Sequence, residues 1–318
     1  MSESIESREL IELVSREGVL RGTCHMPSSK GPMPSIARDR LGVLFLNGLP
    51  ATRAGHGDAA VYWAESLARL GYPAFRVDLP GYGDSCGDPP PEALSSINRG
   101  GYKSIVLALV RELVERFKLS GVVFVGHCAG AVTAIYTAAS TRECRGLVLI
   151  DPYFYLPQQS DRSLRKRLIV WTMQSRFGRA ASTLYRFLKM TRLRLNGLES
   201  FKNANLPLLA RWKEAASSGM PILILKAAPR RNTDTPSQIH EFADIGYALE
   251  LAGRKSHVAA KVIVGAHHSF ANELARTAVQ QNIEGWLEAS FQQGMNAPAP
   301  ALKKTGPACT TNPEVLLP

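Results

Sequence analysis

Residues 121–131 read Gly121-Val122-Val123-Phe124-Val125-Gly126-His127-Cys128-Ala129-Gly130-Ala131, and this stretch decides the fold. An apolar, β-rich run leads into Gly-x-Cys-x-Gly, and a small-residue segment, Ala131 to Ala139, leaves it with the composition of a helix. The glycines imply a tight turn, because a side chain at 126 or 130 would collide with the neighbouring strand or helix. The residue between them is then held in a strained conformation that lifts its side chain above the sheet edge. There it meets a helix N-terminus, whose partial positive charge favours a thiolate. This is a nucleophile-elbow pattern with Cys128 in the position more often held by serine. The plain alternative is a buried cysteine in a Gly/Ala turn, since free cysteine commonly packs as a small hydrophobe.

Working outward, the 318 residues give ample length for a large core, and 45% hydrophobic with 20% charged residues is ordinary for a soluble globular chain. The cysteines at 24, 86, 128, 144 and 309 are odd in number and contain no CxxC pair, which argues against a disulfide framework or a zinc site and for a reducing compartment. Met1 to Glu17 is polar and acidic, unlike a signal peptide, and no apolar run approaches the roughly 20 residues of a membrane helix. A cytoplasmic protein without a membrane span is expected. The net charge of +11 is concentrated: residues 152–213 hold thirteen Lys or Arg against two acids, and the remainder is balanced.

Residues 8–26 alternate as a β-hairpin with a turn at Arg16-Glu17-Gly18. Leu41 to Leu46 is a continuous apolar run, as in a strand buried on both faces of a parallel sheet. Helical spacing follows over 58–70, a strand over 73–77, a helix over 101–117, the elbow strand and its helix, and a strand over 146–150. Residues 161–216 read as basic, amphipathic helix. Strands are expected again at 221–225 and 261–264, and a closing helix at about 270–291. Alternating strands and helices predict a doubly wound, mostly parallel α/β sheet with an N-terminal hairpin and a helical insertion after the sixth core strand. The expected organisation is a core of 8–151 and 217–291, a basic helical lid over 152–216, and a Pro/Ala/Thr-rich tail over 292–318 of disordered composition.

Four motifs in order resemble the α/β-hydrolase fold superfamily. Asn47-Gly48-Leu49-Pro50 stands where the family has His-Gly-x-Pro, and Asp78-Leu-Pro-Gly81-Tyr-Gly83-Asp-Ser85 matches its Asp-x-x-Gly-x-Gly-x-Ser loop. The elbow comes third, and Gly265-Ala-His267-His268-Ser269-Phe270 matches Gly-x-x-His-x-Phe. With its cysteine, the chain looks like the branch of trans-acting acyl- and aminoacyltransferases of assembly-line biosynthesis. It is loosely similar, over 41–155, to hydrolases found beside exopolysaccharide-export gene clusters. Gly81-x-Gly83 runs into a Pro-rich loop, not a helix, so it is no dinucleotide fingerprint. No cofactor and no metal are expected.

The resemblance implies Cys128 as nucleophile and His268 as base, with His267 as the alternative and His127 packing structurally. An unperturbed thiol has a pKa of ~8.5 and so needs a positioned base near neutrality. Family order puts the acid after the strand at 221–225, where Asp234 comes first, although the usual Gly-x-x-Asp is absent. Asp151, directly after the sixth strand, is the second choice, and a cysteine–histidine pair without an acid is the third. The backbone N–H groups of Leu49 and Ala129 are the implied oxyanion donors. Asn47, His56, Arg165 and Arg176 are candidates for contact with substrate, while Asp78 and Ser85 are read as loop-stabilising.

Cysteine exchanges one thioester for another at nearly equal free energy, which suits acyl handover between thiols. A basic lid would favour an acidic carrier protein or a coenzyme A ester, unless its charges are only a solvated face. No nucleic-acid motif accompanies the charge. Three readings follow: an acyltransferase or thioesterase acting on thioesters, a cysteine-dependent hydrolase of an ester or lactone, and a non-catalytic binding module with the fold retained.

Overall fold

The computed structural model describes residues 7–15, 18–27, 40–154, 156, 204–228 and 257–292. Arg165, Arg176, Asp234 and most of the expected lid lie outside these residues, as does the tail beyond 292. Strands β1 (Ser7–Ser15) and β2 (Gly18–Met26) form the expected hairpin, with Ser7 opposite Met26 and Ser15 opposite Gly18. Then follow β3 (Leu41–Leu46), α1 (Ala59–Arg69), β4 (Ala74–Val77), α2 (Ala93–Asn98), α3 (Lys103–Phe117), β5 (Gly121–His127), α4 (Ala129–Ala138) and β6 (Cys144–Ile150). At the end of the stretch expected to form the lid, α5 (Leu206–Ser217) packs into the core through Leu208, Leu209 and Trp212, and β7 (Ile222–Ala228), β8 (Val258–Val264) and α6 (Glu273–Leu287) follow.

The eight strands form one sheet in the order β1-β2-β4-β3-β5-β6-β7-β8. The pairs from β4 through β3, β5, β6 and β7 to β8 are parallel, and β2 joins both neighbours antiparallel. Alternation within the central strands explains the two cores. Leu44, Leu46, Val122, Phe124, Leu147 and Leu149 face α2 to α5, whereas Val43, Phe45, Val123, Val125, Val148 and Ile150 face α1 and α6. Both faces are covered, so the interiors of these strands are apolar, with Arg145 at the exposed start of β6 and His127 at the end of β5.

Two differences from expectation have local causes. The closing helix starts at Glu273, not at 270, because Phe270 sits at φ 49 and the Asn272 side chain accepts from Ala275 N–H at 2.8 Å to cap the helix. The short helix α2 over Ala93–Asn98 was not expected, since it follows the Pro-rich stretch 89–91.

The elbow glycines are fixed by contact. A Cβ on Gly130 would lie 1.8 Å from the Leu46 carbonyl oxygen, and one on Gly126 would lie 2.6 Å from Ala131 Cα. Both obstacles are backbone and cannot swing aside. Gly130→Ala is therefore expected to destabilise the fold by more than about 4 kcal/mol, a loss of roughly 10 °C in Tm by thermal denaturation. A wild-type Tm in this variant would contradict the tight β3–α4 approach.

Candidate active site

Cys128 stands between β5 and α4 at φ 53 and ψ −116, a backbone conformation that L residues rarely adopt. It is held there by its own N–H, which donates to Ile150 O at 2.9 Å, and by its carbonyl, which accepts from Ala131 N–H at 3.0 Å to start the helix. Strain recurs around it. Five described non-glycine residues have positive φ, and Cys128, Asp151 and Phe270 are three of them.

β6 ends at Ile150, and Asp151 follows at φ 49 with its N–H donating to Leu225 O at 2.8 Å. This left-handed turn keeps the carboxylate at the C-terminal edge of the sheet, with its side chain 1% exposed. Its two oxygens have different partners. Oδ2 accepts from His268 Nδ1. Oδ1 lies 2.6 Å from the Lys226 ammonium and also accepts from Ala227 N–H at 3.4 Å. Burial opposes ionisation of Asp151, but His268 and Lys226 together outweigh it and hold the carboxyl below its ordinary range.

His268 lies on the loop between β8 and α6, its Nδ1 hydrogen-bonded to Asp151 and its ring near enough to Cys128 to feel the sulfur. Asp151 first and Cys128 second raise its pKa to about 10, against the opposing effect of burial. Near neutrality the imidazole is thus held as imidazolium, flanked by carboxylate and sulfur. The adjacent His267 is exposed.

His127 precedes the nucleophile and is buried; its Nε2 lies 2.7 Å from the His268 carbonyl oxygen. A carbonyl only accepts, so Nε2 carries the proton. Burial pushes this pKa down to about 4, and the ring stays neutral while bracing the His268 loop. Its ring centroid is 5.3 Å from that of His268, 5.8 Å from Phe270 and 5.9 Å from His56. His56 thereby borders the site by way of His127.

The loop after β3 packs directly against the elbow. A Cβ on Gly48 would lie 2.9 Å from Cys128 Cβ and 3.6 Å from Ala129 N, so Leu49 follows at the side of the nucleophile. Asn47 donates from Nδ2 to Thr52 O at 2.9 Å and is thereby committed to holding this loop. The loop is latched further on, where Arg53 pairs with Asp78 and, at 2.7 Å, with Asp84. Ser85 donates to Asp78 O at 2.7 Å and accepts from Arg21 N–H at 2.8 Å. Asp78 and Ser85 thus stabilise loops. A cleft of about 380 Å³ lined by Arg53, Arg76 and Asp84, among others, borders this latch and shares no residue with Cys128, His268 and Asp151. Among the described residues, no three of His, Cys, Asp and Glu are grouped to hold a metal ion.

The profile of the Alpha/beta hydrolase family matches residues 43–281. The chain belongs to that family. Solved structures agree on the fold. An esterase of Pyrococcus furiosus, Pf2001, aligns over 89% of this chain and 91% of its own with a TM-score of 0.55 at 16% identity. TT1662 from Thermus thermophilus aligns over 89% and 99% with a TM-score of 0.53 at 18% identity. The N-acyl homoserine lactonase AidH aligns over 90% and 98% with a TM-score of 0.51 at 14% identity. No curated protein matches in sequence. Among the described residues, no helix of this hydrolase-fold chain is long and apolar enough to cross a membrane.

The structure therefore brings Cys128, His268 and Asp151 together, with Ala129 next in the chain and the Gly48–Leu49 loop packed against the elbow. Asp234, the first-choice acid, lies outside the described residues, and the Nδ1 atom it would have to bind is taken by Asp151. Lys226 was not foreseen. Its signal is a lysine within the otherwise apolar strand Ile222-Leu-Ile-Leu-Lys226-Ala-Ala, where a charge cannot be buried without a partner.

Proposed function

We propose that this chain is an acyl-transfer enzyme working through an acyl–S-Cys128 intermediate, with His268 as the proton carrier and Asp151 as its acid. The observation that carries this reading is the His268–Asp151 hydrogen bond set beside Cys128 at a strained elbow. The Cys128 thiolate adds to the carbonyl carbon of an acyl donor. The electron pair of the C=O bond moves onto oxygen, beside the N–H groups of Leu49 and Ala129. Collapse re-forms the carbonyl, and His268 gives its proton to the departing thiol or alcohol. An acceptor thiol, or water, then reverses these steps with His268 as base.

Thioesters are the favoured donors, because S-to-S exchange is close to thermoneutral and a cysteine nucleophile gives nothing away in it. The basic stretch over 152–213 supports an acidic carrier protein or a coenzyme A ester as the donor. Hydrolysis of a carboxylic ester or lactone is the second reading, supported by the activities named for the Pyrococcus esterase and AidH, which share the fold.

p-Nitrophenyl acetate separates the two readings. A single stoichiometric burst of nitrophenolate, with later turnover only on adding a thiol, is expected of acyl transfer. Sustained turnover in water would transfer the case to the hydrolase. Loss of reaction with a carrier-protein donor at high salt, with p-nitrophenyl acetate unaffected, is expected if the basic stretch binds the donor.

Tyr153 completes the set. Its hydroxyl is buried with no hydrogen-bond partner, and burial and the Cys128 charge raise its pKa, so it remains a proton donor. A substrate oxygen would relieve that orphaned group. Tyr153→Phe should lower kcat/KM about tenfold, with Tm unchanged or raised. Unchanged kinetics would remove Tyr153 from the site.

A further inference from the structure

Lys226 is a cation in a place that normally excludes one. It lies on β7 with its side chain 3% exposed, on the same sheet face as Ile222 and Ile224, both in the core against α5. Asp151 continues the alternation of Leu147 and Leu149 on the neighbouring strand, so strand parity puts the two charges on one face. The ammonium then closes on Oδ1 at 2.6 Å, while Oδ2 faces His268. Burying a lysine amid aliphatic side chains costs several kcal/mol and is compensated only by a well-placed counter-charge. A leucine here would fill the same core. The lysine must act on the carboxylate.

We propose that Lys226 is a positioning residue of this site: it fixes Asp151 as a carboxylate with one oxygen turned to His268, and through Asp151 sets the pH range over which His268 changes protonation. Two effects follow from the geometry. With Oδ1 held by the ammonium and by Ala227 N–H, the carboxylate cannot rotate away from His268. Deprotonating His268 leaves Asp151 as a buried anion whose remaining counter-charge is Lys226. Without Lys226 that state is costlier, so His268 holds its proton to higher pH.

Among the described residues, the other titratable groups facing this cluster are His127 from β5, His56 by way of His127, and Tyr153 just past β6. Of these, His127 stays neutral near pH 7 and Tyr153 stays a phenol, so neither replaces the lysine charge. The inference rests on the reading of Cys128 and His268 as a reacting pair, and its test separates the two.

The test uses the full chain in five forms: wild type, Lys226→Met, Lys226→Arg, Asp151→Asn, and Lys226→Met combined with Asp151→Asn. The His268 titration is followed by NMR of its ring proton, and the reactivity of Cys128 by iodoacetamide labelling near neutrality, quantified on the Cys128 peptide. In Lys226→Met the His268 midpoint is expected to rise by half a unit or more, and Lys226→Arg should restore it toward wild type. If Lys226→Met does not fold, the double variant carries the test, because it leaves no uncompensated buried charge. Its His268 midpoint should match that of Asp151→Asn alone, since the lysine acts through the carboxylate. An unmoved midpoint in a folded Lys226→Met, or a further shift in the double variant, would overturn the proposal. A wild-type Cys128 that labels as an ordinary thiol would instead sink the reacting pair, while the His268 titration still decides for or against Lys226.

Discussion

Cys128→Ala is expected to abolish acyl-enzyme formation altogether and to lower any turnover of activated esters by a factor on the order of 10⁴ or more. The reason is specific to the elbow. The sulfur is the group that the strained backbone, the helix N-terminus and His268 all serve. What remains without it is binding and the two N–H groups of Leu49 and Ala129, which can polarise a carbonyl but not attack it. Cys128→Ser keeps a nucleophile but exchanges a thiol for a hydroxyl that His268, already protonated near neutrality, is poorly placed to deprotonate. That variant should recover little. Alkylation mapping provides the companion measurement. Cys24 and Cys144 are buried, and burial raises both thiols to about 12, so neither should compete for iodoacetamide near neutrality. Labelling should appear at Cys128 ahead of both. Wild-type turnover by Cys128→Ala would remove the cysteine from the chemistry.

Asp151→Asn is the second large effect, and it strikes stability and activity together. The substitution leaves the Lys226 ammonium buried without its carboxylate, a loss of about 3–5 kcal/mol for a broken buried pair. It also lets the imidazole take the wrong tautomer. The same change costs about 10⁴-fold in a serine triad. Here a loss of about 10²-fold is expected, because a cysteine–histidine ion pair supports part of its own reactivity.

The stability deficit should depend on pH. The folded pKa of Asp151 lies below its unfolded value, so its contribution is present above about 3.8 and fades as pH falls through the lower folded value. The folded pKa of His268 lies above its unfolded value, so its contribution is full below the ordinary 6.5 and is lost as pH rises through about 10. Urea melts of wild type and Asp151→Asn should differ most between about pH 5 and 6.5, converge as the pH falls through the folded Asp151 value, and narrow only in part at alkaline pH, where the Asp151–Lys226 pair persists. A pH-independent gap would mean that Asp151 is not ionised against these partners.

Much of this arrangement was legible in the sequence because its signals are local. Gly126-x-Cys128-x-Gly130 between an apolar run and an alanine-rich run requires a strand–turn–helix, and the backbone contacts at 1.8 and 2.6 Å show why no other residue fits. Leu41 to Leu46 reads as a doubly covered strand because it is one. His268 was recoverable from its place after the last strand. The acid was harder. Order along the chain favours a residue after β7, but proximity to Nδ1 is decided by the φ 49 turn at Asp151, and nothing in Ile150-Asp151-Pro152 announces a left-handed residue. Lys226 has a local signal whose meaning depends on register. Only the pairing of Ile150 with Leu225 shows that the lysine and the aspartate end adjacent strands side by side. Arg53 is similar, since its latch to Asp78 joins two loops separated by α1 and β4.

Acyl transfer through Cys128 is tested most directly by intact-protein mass spectrometry after brief mixing with acyl-coenzyme A and acyl-carrier-protein donors, wild type beside Cys128→Ala. The account predicts one acyl adduct on wild type alone, discharged faster by an added thiol than by water. An equal adduct on Cys128→Ala, or no adduct and no free acid from any thioester, would contradict it.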